Sequence, residues 1–401
     1  MTNLLNRFNL RFDRQEISGS LGDMGTFLPL AVAMVNRCGL NFGHLLFFAG
    51  AMNFASGLIF GIPIPVQPMK SIAAVAIAEG LDENTILAAG IGAGIVLLIL
   101  ALTGLIDVIH RYIPRSIVRG IQLAIGLKLL MKGAAMIIGV GNWLAADSIV
   151  TGVLCFLLIL ATINSRKFPS ALVVLFGGIV LLFISNPSIF TKLSLGWELP
   201  WLRNFTASDF LTGFWRGTIP QLPLTVLNSI VAVSVLSRDL FPDRALQPRK
   251  VTLSVALMNL IACPLGGMPM CHGAGGLAAQ YRFGARTGGS VVFLGLAKMS
   301  LAVLFGGSLM VIMTRFPLSI LGVLLVFSGL ELAVVCRDQT QKQNFMVMIL
   351  TAGVSVAANV AFGFLIGVIV AIILRRLSRP TRAEASNLVK KIDLVERVPA
   401  K

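Results

Sequence analysis

Two short runs in the 401-residue chain carry the residue types from which an anion site can be built. The first reads Pro63-Ile64-Pro65-Val66-Gln67-Pro68-Met69-Lys70-Ser71. Its three prolines oppose helix up to Pro68, since each removes a backbone donor and restricts the residue before it. Pro68 itself suits the first turn of a helix running on to Glu79. Such a helix offers free N–H groups and roughly half a positive charge at its amino end, with Lys70 in its first turn. A lysine there is poorly placed for the helix dipole, so an anion belongs beside it, either a carboxylate of the protein or a ligand. The second run reads Gly266-Gly267-Met268-Pro269-Met270-Cys271-His272-Gly273-Ala274-Gly275-Gly276. With so little side-chain bulk a ligand can approach the backbone. A helix start near His272 or Gly273 adds a second anion-accepting terminus. If both ends face one cavity, two half-charges and Lys70 sum to about +2, the complement of a divalent tetrahedral oxyanion. The contact candidates are Gln67, Pro68, Met69, Lys70, Ser71, Cys271, His272, Gly273, Ala274 and Gly275.

Other polar groups inside apolar stretches carry a functional hypothesis by default. Asp23 lies in Gly19-Ser20-Leu21-Gly22-Asp23-Met24-Gly25-Thr26, a small-residue stretch suited to packing beside the two runs. It carries coupling protons, pairs with Lys70 or serves helix packing, and Thr26 adds a hydroxyl nearby. Gln221 and Asn228, in the corresponding stretch of the second half, offer neutral hydrogen bonds. Lys128 and Glu331 stand at corresponding positions with opposite charge and are expected to pair in a structural or gating role. Cys271-His272 is a weak basis for a thiol catalyst or metal site, and no HExxH-type signature accompanies it. The five cysteines are odd in number and scattered, giving neither a disulfide framework nor a CxxC pair. No enzyme, metal or cofactor is indicated.

The elements that must position these groups are set by lipid. The chain is 56% hydrophobic and 12% charged, about half the charge usual in soluble domains. A spanning helix takes about 20 apolar residues. Windows near 16–36, 40–60, 66–79, 84–106, 115–139, 148–164, 169–186, 212–236, 249–264, 271–281, 289–313, 317–335, 343–358 and 360–376 give about fourteen transmembrane segments in an all-α polytopic membrane protein. Two of them, 66–79 and 271–281, are short half-helices after extended runs. The net charge of +16 sits in clusters between apolar stretches, as in cytoplasmic loops, and not on a nucleic-acid-binding face. Taking the N-terminus (Arg7, Arg11, Arg14) as cytoplasmic places Arg111, Arg115, Arg166, Lys167, Arg238, Arg244, Arg249, Lys250, Arg282, Arg286, Arg337 and the Arg375–Arg382 tail on the same side. The opposite side receives Asp82, Glu83 and Asp147. Residues 1–15, with Leu5, Phe8 and Phe12 on one face, read as an interfacial lead-in helix and not as a cleavable signal peptide.

Internal repetition fixes the expected architecture. Pro114-Arg115-Ser116-Ile117 and Gly126-Leu127-Lys128-Leu129 return as Pro317-Leu318-Ser319-Ile320 and Gly329-Leu330-Glu331-Leu332, both 203 positions on. Gly61-Ile62-Pro63 returns as Gly267-Met268-Pro269, 206 positions on. Seven segments per repeat is an odd number, so the second copy must be inverted. Interrupted segments at matching places in two inverted halves point to a transporter's binding site. The expected units are a first repeat at 16–186, a linker at 187–211, a second repeat at 212–376 and a basic cytoplasmic tail at 377–401.

Gly19 to Phe27, Pro65-Val66-Gln67-Pro68-Met69-Lys70-Ser71 and Pro269 to Leu277 together resemble the molybdate transporter family, a branch of the sulfate-permease-like superfamily. The resemblance covers essentially the whole chain. It implies the fold of the uracil and sulfate permeases, with strand-headed half-helices at spans three and ten and substrate between their amino ends. It also implies a core domain from 16–106 and 212–313 moving against a gate domain from 107–186 and 314–376. The cytoplasmic regulatory domain of ordinary sulfate permeases has no counterpart in this sequence, which fits the molybdate branch. The implied activity is secondary active import of molybdate across the cell membrane by alternating access, with sulfate the nearest alternative. A nucleobase–proton symporter and an anion channel are weaker rivals. Proton coupling and a homodimer are left open.

Overall fold

The computed structural model describes residues 10–162 and 168–377. The readings made on Leu5, Arg7, Phe8, Arg166, Lys167 and the tail beyond Leu377 lie outside the described residues. The first half contains α1 (Arg14–Leu21) and α2 (Met24–Cys38), then α3 (Phe42–Phe60), strand β1 (Val66–Pro68) and α4 (Lys70–Glu79). It continues through α5 (Glu83–Leu102), α6 (Leu105–Tyr112), α7 (Arg115–Ile138), α8 (Ile149–Ala161) and α9 (Ser170–Ser185). The second half begins with α10 (Ala207–Leu240). It goes on through α11 (Pro248–Ala262), β2 (Met270–His272), α12 (Ala274–Arg282), α13 (Gly289–Arg315), α14 (Leu318–Asp338), α15 (Lys342–Ala357) and α16 (Val360–Leu377). Six of these helices are long and apolar enough to cross a membrane, or seven if α1 and α2, bent by 42°, form one span. Three shorter apolar helices lie at Ile149–Ala161, Ser170–Ser185 and Val360–Arg375. The protein is a multi-pass membrane protein.

Local chemistry explains the interruptions. Gly61 ends α3 at φ 65°, and Gly266 ends the turn after α11 at φ 87°. The left-handed backbone comes at little cost to glycine. The proline-bearing runs that follow cannot resume a helix at once, so the chain extends into β1 and β2 before α4 and α12 begin. In α10, Pro220 and Pro223 lie between two π-helical stretches, Phe214–Thr218 and Thr225–Ala232. A proline removes a ladder donor, and wide π turns of this kind often mark functional positions.

Close helix packing depends on missing side chains. A Cβ on Gly126 of α7 would lie 2.7 Å from the Gly329 carbonyl of α14, and one on Gly329 would lie 2.5 Å from the Gly126 carbonyl. These two glycines are the repeat counterparts found in the sequence. Segment 187–211 is tied to the helices beside it: the Arg203 guanidinium meets Glu83 at 2.9 Å, and an imidazole nitrogen of His44 lies 3.0 Å from the Glu198 carbonyl.

Candidate functional site

β1 and β2 pair antiparallel, Val66 with His272, Gln67 with Cys271 and Pro68 with Met270. The Met69 N–H extends the ladder, donating to the Pro269 carbonyl at 2.9 Å. Each strand is held from outside by an asparagine. Asn53 accepts from the Val66 N–H at 2.9 Å, and Asn259 accepts from the Met270 N–H at 2.8 Å. The two asparagines are 206 positions apart and belong to the helices preceding the strands. Sequence reasoning passed over both, although the offset already seen at Gly61/Gly267 would have matched them.

Side chains alternate faces along a strand, and directly opposed residues share a face. His272 is therefore turned away from Gln67 and Cys271. Its ring nitrogens lie 3.1 Å from Ser254 Oγ and 3.2 Å from the Pro65 carbonyl, and its edge meets Phe60. Buried in this way, His272 braces the strand pair. Gln67 reaches the other way, and its Nε2 donates to Asp23 Oδ1. Asp23 sits at the break between α1 and α2.

The two amino ends are not equivalent. Neither α4 nor α12 is capped by its own N-cap side chain. At α4, however, Gln221 Oε1 accepts from the Ser71 N–H at 2.8 Å and the Ile72 N–H at 3.3 Å. The first terminus is thus partly occupied by the protein, a correction to the expectation of free donors. Gln221 is held in turn by a 2.8 Å hydrogen bond to Thr225 in the second π stretch. At α12 the glycines admit protein rather than ligand. A Cβ on Gly273 would collide with Gln67 Oε1, one on Gly276 would lie 2.6 Å from Gln67 Nε2, and one on Gly275 would lie 2.8 Å from Leu129.

A cavity of about 540 Å³ opens beside the first terminus. Its wall carries Thr26, Lys70, Ser71, Lys128, Lys132 and Asn228 among apolar residues such as Leu30, Ile125, Leu129 and Leu325. Three lysines line it and, among the described residues, no carboxylate does. Gln67, Pro68, Met69, Asp23, Gln221, Cys271, His272, Gly273, Ala274 and Gly275 are buried and do not line it. Leu129 stands between Gly275 and the cavity. Lys132, one helical turn beyond Lys128, is a member that sequence reading missed; the i, i+4 spacing was its signal.

The expected Lys128–Glu331 pair does not form. Glu331 lies 3.8 Å from Arg282 at the end of α12, while Lys128 lines the cavity. A different buried ion cluster does form. Arg119 on α7, 2% exposed, meets Asp338 at 2.6 Å and Asp239 at 2.7 Å. Arg119 also donates to Gln122 at 2.9 Å, and Gln122 donates to the Ala232 carbonyl of α10 at 3.0 Å.

Comparison with known proteins shows what the chain is similar to as a whole. A model of a family described as a molybdate transporter of the MFS superfamily matches residues 15–129 and 213–332. Molybdate transporter 1 of Arabidopsis thaliana is 40% identical over 413 residues, covering 93% of this chain and 90% of that protein. Molybdate transporter 1 of Chlamydomonas reinhardtii is 34% identical over 466 residues, covering 88% of this chain and 90% of that one. In shape the chain resembles SLC26A9, with a TM-score of 0.62 at 13% identity over 92% of this chain. It spans just under two thirds of that protein, 66%. It also resembles the transmembrane domain of a cyanobacterial bicarbonate transporter, BicA, with a TM-score of 0.57 at 15% identity over 88% of this chain and 97% of that one. The family description carries an MFS label, but the fold seen here is that of SLC26A9 and BicA. Aligned over most of its length with proteins at 34–40% identity, the chain belongs to the molybdate transporter family.

Proposed function

We propose that the protein is a secondary active transporter that takes up molybdate into the cell. The observation that carries this reading is the 540 Å³ cavity at the amino end of α4, lined by Lys70, Lys128 and Lys132 without a carboxylate. Such a wall attracts a dianion, and fixed donors such as the Ser71 and Asn228 side chains suit its oxygens. Sulfate shares the charge and the tetrahedral shape. The names borne by the relatives favour molybdate.

The transport cycle follows from a two-repeat architecture. Fourteen crossings in two inverted halves account for repeat counterparts that touch each other, Gly126 with Gly329 and Gln67 with Gly273. Counterparts meet where a pseudo-twofold axis passes. In this reading α1–α5 and α10–α13 form the core, and α7–α9 and α14–α16 the gate. The cavity lies where Lys70 of the core faces Lys128 and Lys132 of the gate, and it reaches Asn359 and Val360. That turn lies at the far end of α15, whose 16 residues span about 24 Å from the Asp338 side. The Arg119–Asp239–Asp338 cluster joins core to gate at the opposite end. The chain is thus open on one side and latched on the other, as alternating access requires. By the positive-inside rule the latched, Arg115-bearing side is cytoplasmic, with both termini there. Inward movement of a dianion opposes the membrane potential at about 2.3 kcal/mol per charge per 100 mV. At least two protons per dianion would cancel that opposition.

The test is uptake into vesicles containing the purified protein, with molybdate, sulfate and uracil in competition and an imposed pH gradient. Uphill molybdate accumulation that sulfate blocks weakly and uracil leaves alone is the expected result. Tighter handling of sulfate would reassign the substrate. Passive conductance without accumulation would make the protein a channel.

A further inference from the structure

Outside the cavity lining a further lysine is buried without a hydrogen-bond partner among the described residues. Lys298 lies on α13, one turn past Gly295, where α13 crosses α3 so tightly that a Cβ on Gly295 would lie 2.6 Å from the Gly50 carbonyl. Its Nζ lies 3.5 Å from the centroid of the Phe27 ring, and among the described residues it makes no hydrogen bond. Phe27 is one helical turn from Asp23, and its N–H donates to the Asp23 carbonyl at 3.1 Å. Asp23 is equally incomplete. One carboxylate oxygen accepts from Gln67, while Oδ2 is buried without a partner. Lys298 and Lys70 supply the positive field acting on that carboxylate.

We propose that Lys298 is a positioning residue for anion transport: its buried ammonium, seated on the Phe27 ring one turn from Asp23, balances the Asp23 carboxylate, and Asp23 in turn orients Gln67 at the amino end of α12. The chemistry runs through donor and acceptor roles. An ionised carboxylate only accepts, so it draws the amide NH₂ of Gln67 and sends the amide oxygen towards Gly273. The Cβ clash at Gly273 shows that oxygen pressed against the α12 terminus. A neutral Asp23 could donate as well, and the amide could then reverse, placing NH₂ donors against backbone N–H groups. Removing Lys298 alone leaves a buried carboxylate less compensated near an anion path, which repels substrate and loosens the Gln67 amide. Removing both charges restores neutrality.

This inference rests on the oxyanion-transport reading, and the experiment separates the two. Molybdate and sulfate uptake is measured in vesicles with the wild type, Lys298→Met, Lys298→Arg, Asp23→Asn and the Lys298→Met/Asp23→Asn double variant. Lys298→Met should raise the concentration for half-maximal uptake about tenfold or more, with Lys298→Arg within about threefold of the wild type. The double variant should match Asp23→Asn alone. Wild-type affinity in Lys298→Met, or single effects that simply multiply in the double variant, would overturn the proposal. If Lys298→Met fails to elute as a folded species, the double variant decides. Folding and transport at the Asp23→Asn level support the coupling, and failure of the double variant as well refutes it. A wild type inert towards both oxyanions overturns the transport reading and this inference with it.

Discussion

Two regions of the molecule hold cations among its packed helices, and they treat them in opposite ways. At the Asp338 end, Arg119 is enclosed by two carboxylates at 2.6 and 2.7 Å and by Gln122. Around the cavity, Lys70, Lys128 and Lys132 have no carboxylate within ion-pair distance among the described residues. A buried charge must be compensated. Arg119 finds its compensation within the protein, and in the proposed cycle it holds core and gate together. The cavity lysines form no ion pair among the described residues, which leaves them available to an anion from solvent. On that difference rests the proposed division into a latch and a binding site.

That comparison breaks first at the latch. Arg119→Ala removes the buried cation between Asp338 and Asp239 and leaves them only the exposed Arg115, 2.9 Å from Asp239 and 3.9 Å from Asp338, a change that costs on the order of 3–5 kcal/mol. Thermal unfolding in detergent should start roughly 10 °C lower, and Asp338→Asn should lower it less, because Asp239 still pairs with Arg119. An unchanged midpoint in Arg119→Ala would remove the distinction between paired and unpaired cations. Lys70→Gln should behave in the reverse sense, with folding preserved and uptake reduced. Losing one charged hydrogen bond to the dianion costs about 1.5–3 kcal/mol, or roughly ten- to 150-fold in affinity. Molybdate uptake at subsaturating concentration measures it, and full activity would take Lys70 out of the site.

The sequence made the interrupted segments legible because proline and glycine act locally: the extended run through Pro63, Pro65 and Pro68 and the glycine stop after α11 need no tertiary context, although Pro68, expected in the first helical turn, closes β1 and α4 starts at Lys70. The 203- and 206-residue offsets pointed to residues that now lie in contact at Gly126/Gly329. What could not be read was which side of each element faces which neighbour. His272 looked like part of the site because it adjoins Cys271, yet strand alternation turns it towards Ser254. The glycines at 273–276 looked open to ligand, but the room they leave is filled by Gln67 and Leu129, from elements distant in sequence. Glu331 was matched to Lys128 by symmetry alone, and the nearer Arg282 took it. Arg119 and Lys298 were missed for a plainer reason. Each is a charge inside an otherwise apolar segment, Arg119 one turn after Arg115 at the start of α7 and Lys298 in the middle of α13, and charge within such segments warrants attention in a membrane helix.

The smallest effect sharpens the comparison most. Lys132 lines the same cavity as Lys70 but is exposed, where Lys70 is half-buried. A cation in contact with water acts through a screened field, and its contribution is a fraction of a buried group's. Lys132→Gln should therefore weaken uptake by only about threefold at low ionic strength, with Lys128→Gln falling between it and Lys70→Gln. The salt dependence distinguishes a steering charge from a contact. At about 1 M salt the screening length shrinks to roughly 3 Å, so the Lys132→Gln defect should vanish while the Lys70→Gln defect persists. Uptake rates across a salt series with an inert electrolyte measure this. Equal loss for Lys132 and Lys70 at every salt concentration would place both lysines in direct contact with the anion and erase the gradient from mouth to half-helix.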